Sequence, residues 1–232
     1  MNKKKIIIVI PAYQPDEKLI QLVEQLKEYK VVVVNDGSGD IYHEVFAQSK
    51  KAGAKVLSYS KNRGKGYALK HVFRRIANSD TYVEWIITAD ADGQHKVSDI
   101  VRLIDNTVSG EKGLLIGTRR FQGYVPLRSR IGNVCMNKVF GKVTGVKLLD
   151  TQSGLRAYHI ELLPRLCEIK GNRYEYEMNC LLWAAQNNVK IRQIPIDTIY
   201  EEGNGSSHFK AVRDSLRICG WMIISLGRGK YF

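Results

Sequence analysis

Hydrophobic positions recur along this chain at two alternating spacings. The runs "KIIIVI" (5–10) and "VVVVND" (31–36) are short, continuous and β-branched, the pattern of strands buried on both faces of a parallel sheet. Between them Leu19, Leu22, Val23 and Leu26 recur at helical spacing, with Asp16 and Glu17 at the expected helix start. A second helix through Ile41–Lys51 leads to the strand "AKVLSYS" (54–60). A helix from about Gly66 to Ala77 follows, then the strand "VEWIITA" (83–89), a helix near Val97–Val108 and the strand "GLLIGTR" (113–119). This βαβαβαβαβ alternation predicts an α/β fold with a doubly wound, mostly parallel sheet.

Past Arg120 the rhythm changes. A basic loop precedes a helix reaching about Val143, followed by "LLDTQSGLRAY" (148–158), a helix through "YEYEMNCLLWAAQ" (174–186) and the strand-like "VKIRQIPIDTIY" (189–200). From Phe209 the residues Val212, Leu216, Cys219, Ile223 and Leu226 form an amphipathic helical stripe. Lys210, Arg213, Arg217, Arg228 and Lys230 flank it. Such a helix packs on a domain or lies in a membrane interface.

In doubly wound sheets ligands gather beyond the carboxyl ends of the strands. Here those ends read "PAY" (11–13), "NDGSGD" (35–40), "KNRGKG" (61–66), "ADADGQH" (89–95) and "GTRR" (117–120). Asp36 has two readings, a carboxylate for a base N–H or ribose hydroxyl, and an Asx-turn or helix cap. Arg63 and Lys65, set among glycines before a helix, suit phosphate oxygens or a basic surface turn. Asp90 and Asp92 leave a buried strand together. Paired carboxylates there suit a hard divalent cation shared with substrate phosphates, with Gln94 as a third oxygen. His95 reads as a helix-start residue.

Size, charge and cysteines narrow the class. A chain of 232 residues can bury a full core without cross-links. Cys135, Cys167, Cys180 and Cys219 form no metal-ligand or disulfide pattern, which points to a reducing compartment. The run after the N-terminal lysines ends at Pro11, short of a signal-peptide core of ~7–15 residues. "ICGWMIISL" (218–226) falls short of the ~20 residues of a crossing helix. The expectation is therefore a cytoplasmic protein. The net charge of +13 suits an anionic partner such as a nucleotide phosphate or an anionic membrane surface. No zinc-finger, helix-turn-helix or RNA-binding pattern is visible, so nucleic acid is not expected.

Taken in order, the strand ends resemble the GT-A nucleotide-diphospho-sugar fold of glycosyltransferase family 2. "GTR", "SRIGN" (129–133), "DTQSGLRAY" (150–158) and "IPIDTIYEEGNGSSHF" (194–209) look more specifically like the polyprenyl- and dolichyl-phosphate sugar synthases. The resemblance runs from Lys5 to about Arg217. It implies a catalytic domain over 1–208, with a nucleotide-sugar half at 1–120 and an acceptor half at 121–208, and a possible membrane-interfacial segment at 209–232. One departure stands out: Pro15 of "PAYQP" replaces a glutamate that in this group often touches the nucleotide. Either that role is missing here, or Asp16 or Glu17 takes it.

Carried over, the resemblance implies that Pro11, Ala12, Tyr13, Asp36 and Gly37 hold the nucleoside, and that Lys65, Asp90 and Ala91 belong with them to the nucleotide-sugar site. Asp90, Asp92 and Gln94 would hold Mg²⁺ or Mn²⁺. Arg119 and Arg130 would bind an attacking lipid phosphate, with Asp150 and Arg156 lining the sugar and acceptor end and Glu177 on the acceptor side. The catalytic set is then Asp92, Arg119, Arg130 and Asp150. The implied activity is inverting transfer of a sugar, glucose or N-acetylglucosamine from a UDP donor before mannose from GDP, to undecaprenyl phosphate for cell-envelope glycans. It would take place at the cytoplasmic membrane face. A glycan-hydroxyl acceptor is the alternative and would need Asp150 or Glu177 as base; a non-catalytic nucleotide-sugar-binding protein is a second. Many relatives carry transmembrane helices after this domain, so a small membrane protein or self-association is a further expected partner.

Overall fold

A computed structural model of the chain describes residues 3–79, 82–109, 111–119 and 127–197. Seven strands form one sheet: β1 (Ile6–Ala12), β2 (Lys30–Asp36), β3 (Lys55–Tyr59), β4 (Trp85–Thr88), β5 (Leu114–Arg119), β6 (Arg156–His159) and β7 (Ile191–Ile196). Their order is β3-β2-β1-β4-β6-β5-β7. The helices are α1 (Lys18–Gln25), α2 (His43–Lys51), α3 (Lys65–Ala77), α4 (Val97–Asp105), α5 (Leu127–Thr144), α6 (Leu163–Leu166) and α7 (Glu175–Gln186).

The β-branched runs behave as their composition requires. Ile6, Ile8 and Ile10 face one side of the sheet, where they pack with Leu19, Leu22 and Val23 of α1, Phe46 of α2 and Ile100, Leu103 and Ile104 of α4. Ile7 and Val9 face the other, against Ala68, Leu69, Val72 and Phe73 of α3, Phe140 of α5 and Leu181 of α7. Successive residues of a strand point to opposite faces, so burial on both sides leaves no polar position in the run.

One element departs from the predicted alternation. The segment "RAYH" (156–159), its first residues legible in the sequence only as part of a motif, is strand β6, inserted antiparallel between β4 and β5, with Thr88 and Ile116 both opposite Arg156. An antiparallel strand begins where its parallel neighbours end. That reversal carries Asp150–Leu155 to the ligand edge of the sheet, beside the ends of β4 and β5. The predicted helix over Val97–Val108 is α4 followed by a 3₁₀ turn at Asn106–Ser109.

Among the described residues no helix is long and apolar enough to cross a membrane, and Cys135, Cys167 and Cys180 are free thiols. The amphipathic segment 209–232 and the motif residues 198–209 lie outside the described residues.

Candidate active site

The first cluster at the ligand edge is built around Asp36. It ends β2 and is 3% exposed. Its carboxylate accepts from Tyr59 Oη at 2.7 Å, Asn62 Nδ2 at 3.2 Å and the backbone N–H groups of Arg63 and Gly64, each at 2.8 Å. Four donors use the full acceptor capacity of a carboxylate. Asp36 thereby clamps the loop 61–64 and sets the start of α3, as its turn-and-cap reading requires. Burial and the Asp36 carboxylate push the Tyr59 phenol well above its ordinary range.

Gly37 makes this clamp possible. Its φ is +67°, and a Cβ there would strike the backbone at Lys61–Asn62. Gly37→Ala should therefore lower stability by about 1–3 kcal/mol, read as a lower Tm.

The turn after β1 carries a second special conformation. Gln14 has φ +51°, and its N–H donates to Ser38 Oγ at 2.9 Å, while the Ser38 N–H donates to Asn35 Oδ1 at 2.9 Å. Pro11, Ala12 and Tyr13 thus reach the edge beside the β2 loop. Asp16, two residues ahead of α1, accepts the Lys18 N–H at 3.0 Å, and Glu17 is exposed.

The loop clamp delivers Lys65 to the end of β4. Its ammonium lies 2.6 Å from Asp90 Oδ1 and 2.8 Å from Glu177 Oε2 on α7, and its side chain is 13% exposed. Burial opposes the lysine charge, but the Asp90 and Glu177 carboxylates prevail and hold its pKa above the usual range. Asp90 feels the same balance in reverse. Burial raises it, yet Lys65 and His95 hold its carboxyl well below the ordinary value. His95 Nε2 lies 3.3 Å from Asp90 Oδ2, and His95 Nδ1 is buried with no hydrogen-bond partner among the described residues. The helix-start reading of His95 missed this contact, whose only sequence signal was its place three residues past Asp92.

Asp92 follows in the turn, where Gly93 has φ +75°. The Asp92 carboxylate accepts the Gln94 N–H at 3.1 Å. Burial and the adjacent Asp90 charge raise its pKa. Asp90 and Asp92 are therefore like charges in an enclosed turn, a donor set that suits a hard divalent ion. Among the described residues no group of three or more His, Cys, Asp or Glu could hold a metal by itself, so ligands from elsewhere would have to complete the sphere.

A second cluster stands at the end of β5. Asp150, fully buried, accepts from Arg119 Nε at 2.5 Å and Nη2 at 3.0 Å, and from Asn133 Nδ2 on α5 at 2.8 Å. The Gln152 N–H at 3.0 Å adds a further bond. Burial opposes its ionisation, but Arg119 and these donors hold the carboxyl below its usual value. Arg119 is thus fixed in one plane by a two-pronged contact. Arg130 belongs to the first turn of α5, and its side chain lies outside the described residues.

Arg156, expected along the acceptor, is 1% exposed. Its guanidinium donates to the carbonyls of Ser153 at 2.9 Å, Glu177 at 2.5 Å and Thr151 at 3.1 Å. It ties the β6 entry to α7 beneath the site and offers no face to a ligand. Gly154 in that entry lies so close that a Cβ would meet Lys65 Nζ and Asp90 Oδ2.

The edge therefore joins the Lys65 ammonium at the start of α3, a carboxylate pair and a rigid arginine. Comparison with known proteins agrees. The family model "Glycosyl transferase family 2" matches residues 7–166. An uncharacterized protein of Methanocaldococcus jannaschii is 33% identical over 210 residues, covering 87% of this chain and 84% of that one. The UDP-N-acetylglucosamine–dolichyl-phosphate N-acetylglucosaminyltransferase of Methanococcus voltae is 29% identical over 223 residues, covering 87% and 88%. In fold, a mannosyltransferase of Pyrobaculum calidifontis, solved with GDP-mannose and Mn²⁺, aligns with a TM-score of 0.58 at 15% identity over 87% of this chain and 58% of that one. With the sheet order, the ligand edge and the family match in agreement, this chain belongs to glycosyl transferase family 2 and is a glycosyltransferase of GT-A fold.

Proposed function

We propose that the protein moves glucose or N-acetylglucosamine from a UDP donor onto a polyprenyl phosphate at an anionic membrane surface, with inversion at the anomeric carbon. The observation carrying this reading is the condition of its two acceptor-side carboxylates. A sugar hydroxyl must lose a proton as it attacks, so a glycan acceptor needs a general base. Asp150 is buried and bound by Arg119, Asn133 and Gln152, and Glu177 is held by Lys65 at 2.8 Å. Asp150 thus has its oxygens engaged by protein donors, and the Glu177 oxygen that Lys65 does not hold, Oε1, is buried out of reach of solvent. A phosphate monoester, whose second pKa is ~6, arrives already ionised and needs only positioning. The relative from Methanococcus voltae, named for a dolichyl-phosphate acceptor and a UDP-sugar donor, supports the same choice.

In this reading Arg119, locked by Asp150, and Arg130 orient the acceptor phosphate, for which an arginine fork is better matched than a lysine. Asp36 positions the loop that brings Lys65 to the donor diphosphate, where its charge stabilises the leaving nucleotide. Asp90 and Asp92, with Gln94, would hold Mg²⁺ or Mn²⁺, which when bound supplies positive charge at the diphosphate. The +13 net charge suits an anionic bilayer that presents the lipid.

The test incubates the protein with Mg²⁺ or Mn²⁺, undecaprenyl phosphate and separately UDP-glucose, UDP-N-acetylglucosamine and GDP-mannose. Glycolipid should appear in the organic phase with a UDP donor. Its formation should rise with pH through the second ionisation of the lipid phosphate and then level off. Glycosylation of free glycans in place of the lipid would overturn the assignment.

A further inference from the structure

We propose that the Lys65 ammonium is a built-in competitor for the divalent ion at Asp90, so that the metal enters only together with a nucleoside diphosphate. The inference rests on the metal-dependent reading above and adds an order of binding to it. Both oxygens of Asp90 face donors in the free protein: Oδ1 lies 2.6 Å from Lys65 Nζ, and Oδ2 lies 3.3 Å from His95 Nε2. A divalent ion approaching alone must displace a largely enclosed ammonium, and that ammonium would lose its nearer counter-charge without gaining a new one. A metal–diphosphate chelate differs, because its phosphate oxygens give the displaced lysine a new counter-charge.

Glu177 supplies the second half of the device. It also holds Lys65, through Oε2 at 2.8 Å, and its other oxygen, Oε1, is buried with no hydrogen-bond partner among the described residues. An unpartnered buried carboxylate oxygen beside a lysine leaves acceptor capacity for that lysine once it releases Asp90. Glu177 is therefore a positioning residue that keeps the cation at the site. Gly154 lies against the same pair, and a Cβ there would strike Lys65 Nζ and Asp90.

Protein-bound Mn²⁺ measured by paramagnetic resonance at one fixed pH tests this, after allowance for the manganese–nucleotide complex in solution. Wild type should bind Mn²⁺ weakly alone and at least about tenfold more tightly with UDP or GDP, within the usual range of coupling between sites. Lys65→Met should bind Mn²⁺ without nucleotide at least about tenfold more tightly than wild type, and the nucleotide's enhancement should shrink. Removing Lys65 leaves the Asp90 and Glu177 carboxylates uncompensated, so Lys65→Met/Glu177→Gln, which restores the charge balance, is measured beside it. If both variants, folded by circular dichroism, bind nucleotide-free Mn²⁺ no more tightly than wild type, the competitor role is overturned while the metal site stands. If wild type binds no Mn²⁺ with either nucleotide, the metal reading fails, and the proposal with it.

Discussion

Asp92→Asn is expected to raise the melting temperature of the free protein by a few degrees while removing about 10²–10³-fold of its turnover. The two effects share one cause. Burial and the neighbouring Asp90 charge disfavour the ionised Asp92 carboxylate, so an uncharged amide of the same shape relieves the folded state. During turnover the same carboxylate is proposed to hold the cation that balances the leaving diphosphate, a role an amide fills poorly. Because Asp92 has a raised pKa, its stabilising contribution is present in acid and lost as pH rises through that value. Wild type and Asp92→Asn should thus melt together at low pH and separate above it. Calorimetry across that range, with turnover measured in parallel, checks both halves. A variant that melts lower than wild type at neutral pH would show that Asp92 is not held against its charge.

Asp150→Ala is expected to be the most destabilising substitution at the site, by about 3–5 kcal/mol, or roughly 6–20 °C in Tm for a domain of this size. Removing the carboxylate leaves the Arg119 guanidinium, 17% exposed, without its two-pronged partner and strips Asn133 and the Gln152 N–H of their acceptor. Asp150 has a depressed pKa. Its stabilisation is present above the ordinary carboxylate range and is lost as pH falls through the folded value. The gap between wild type and variant should therefore close in strong acid. Replacing the pair together, Arg119→Met/Asp150→Leu, should recover much of the stability, because apolar residues of similar volume avoid the desolvation of both charges. Activity should not return if Arg119 orients the acceptor. Recovery of turnover in the double variant would remove Arg119 from the mechanism.

The parts of this protein legible in one dimension are those set by local patterning. The β-branched runs of β1 and β2, the helical stripe of α1 and the strand-end loops follow from periodicity, because burial on two faces or one stripe dictates which positions are apolar. Asp90 and Asp92 were legible for the same reason: a buried strand ending at once in two carboxylates places them at the edge where ligands bind. What periodicity does not encode is strand direction and pairing between distant segments. The four-residue β6 is too short to show a period, yet its antiparallel insertion between β4 and β5 brings Asp150 and Gly154 to the site.

Partner choice was likewise hidden. Asp36 reads from its loop both as a carboxylate for a nucleoside and as a turn cap, and only three-dimensional packing shows that Tyr59, Asn62, Arg63 and Gly64 are its partners within the chain. Arg156 reads as an acceptor contact and is enclosed beneath the site by three carbonyls. Lys65 meets Glu177, far away along the chain, and the sequence carried no sign of that pairing. Sequence by itself thus determined the layered fold and which strand end carries the carboxylate pair, since both follow from where apolar surface must be buried. Only the tertiary structure decided which charges neutralise one another, because that depends on distances between segments that the chain order leaves open.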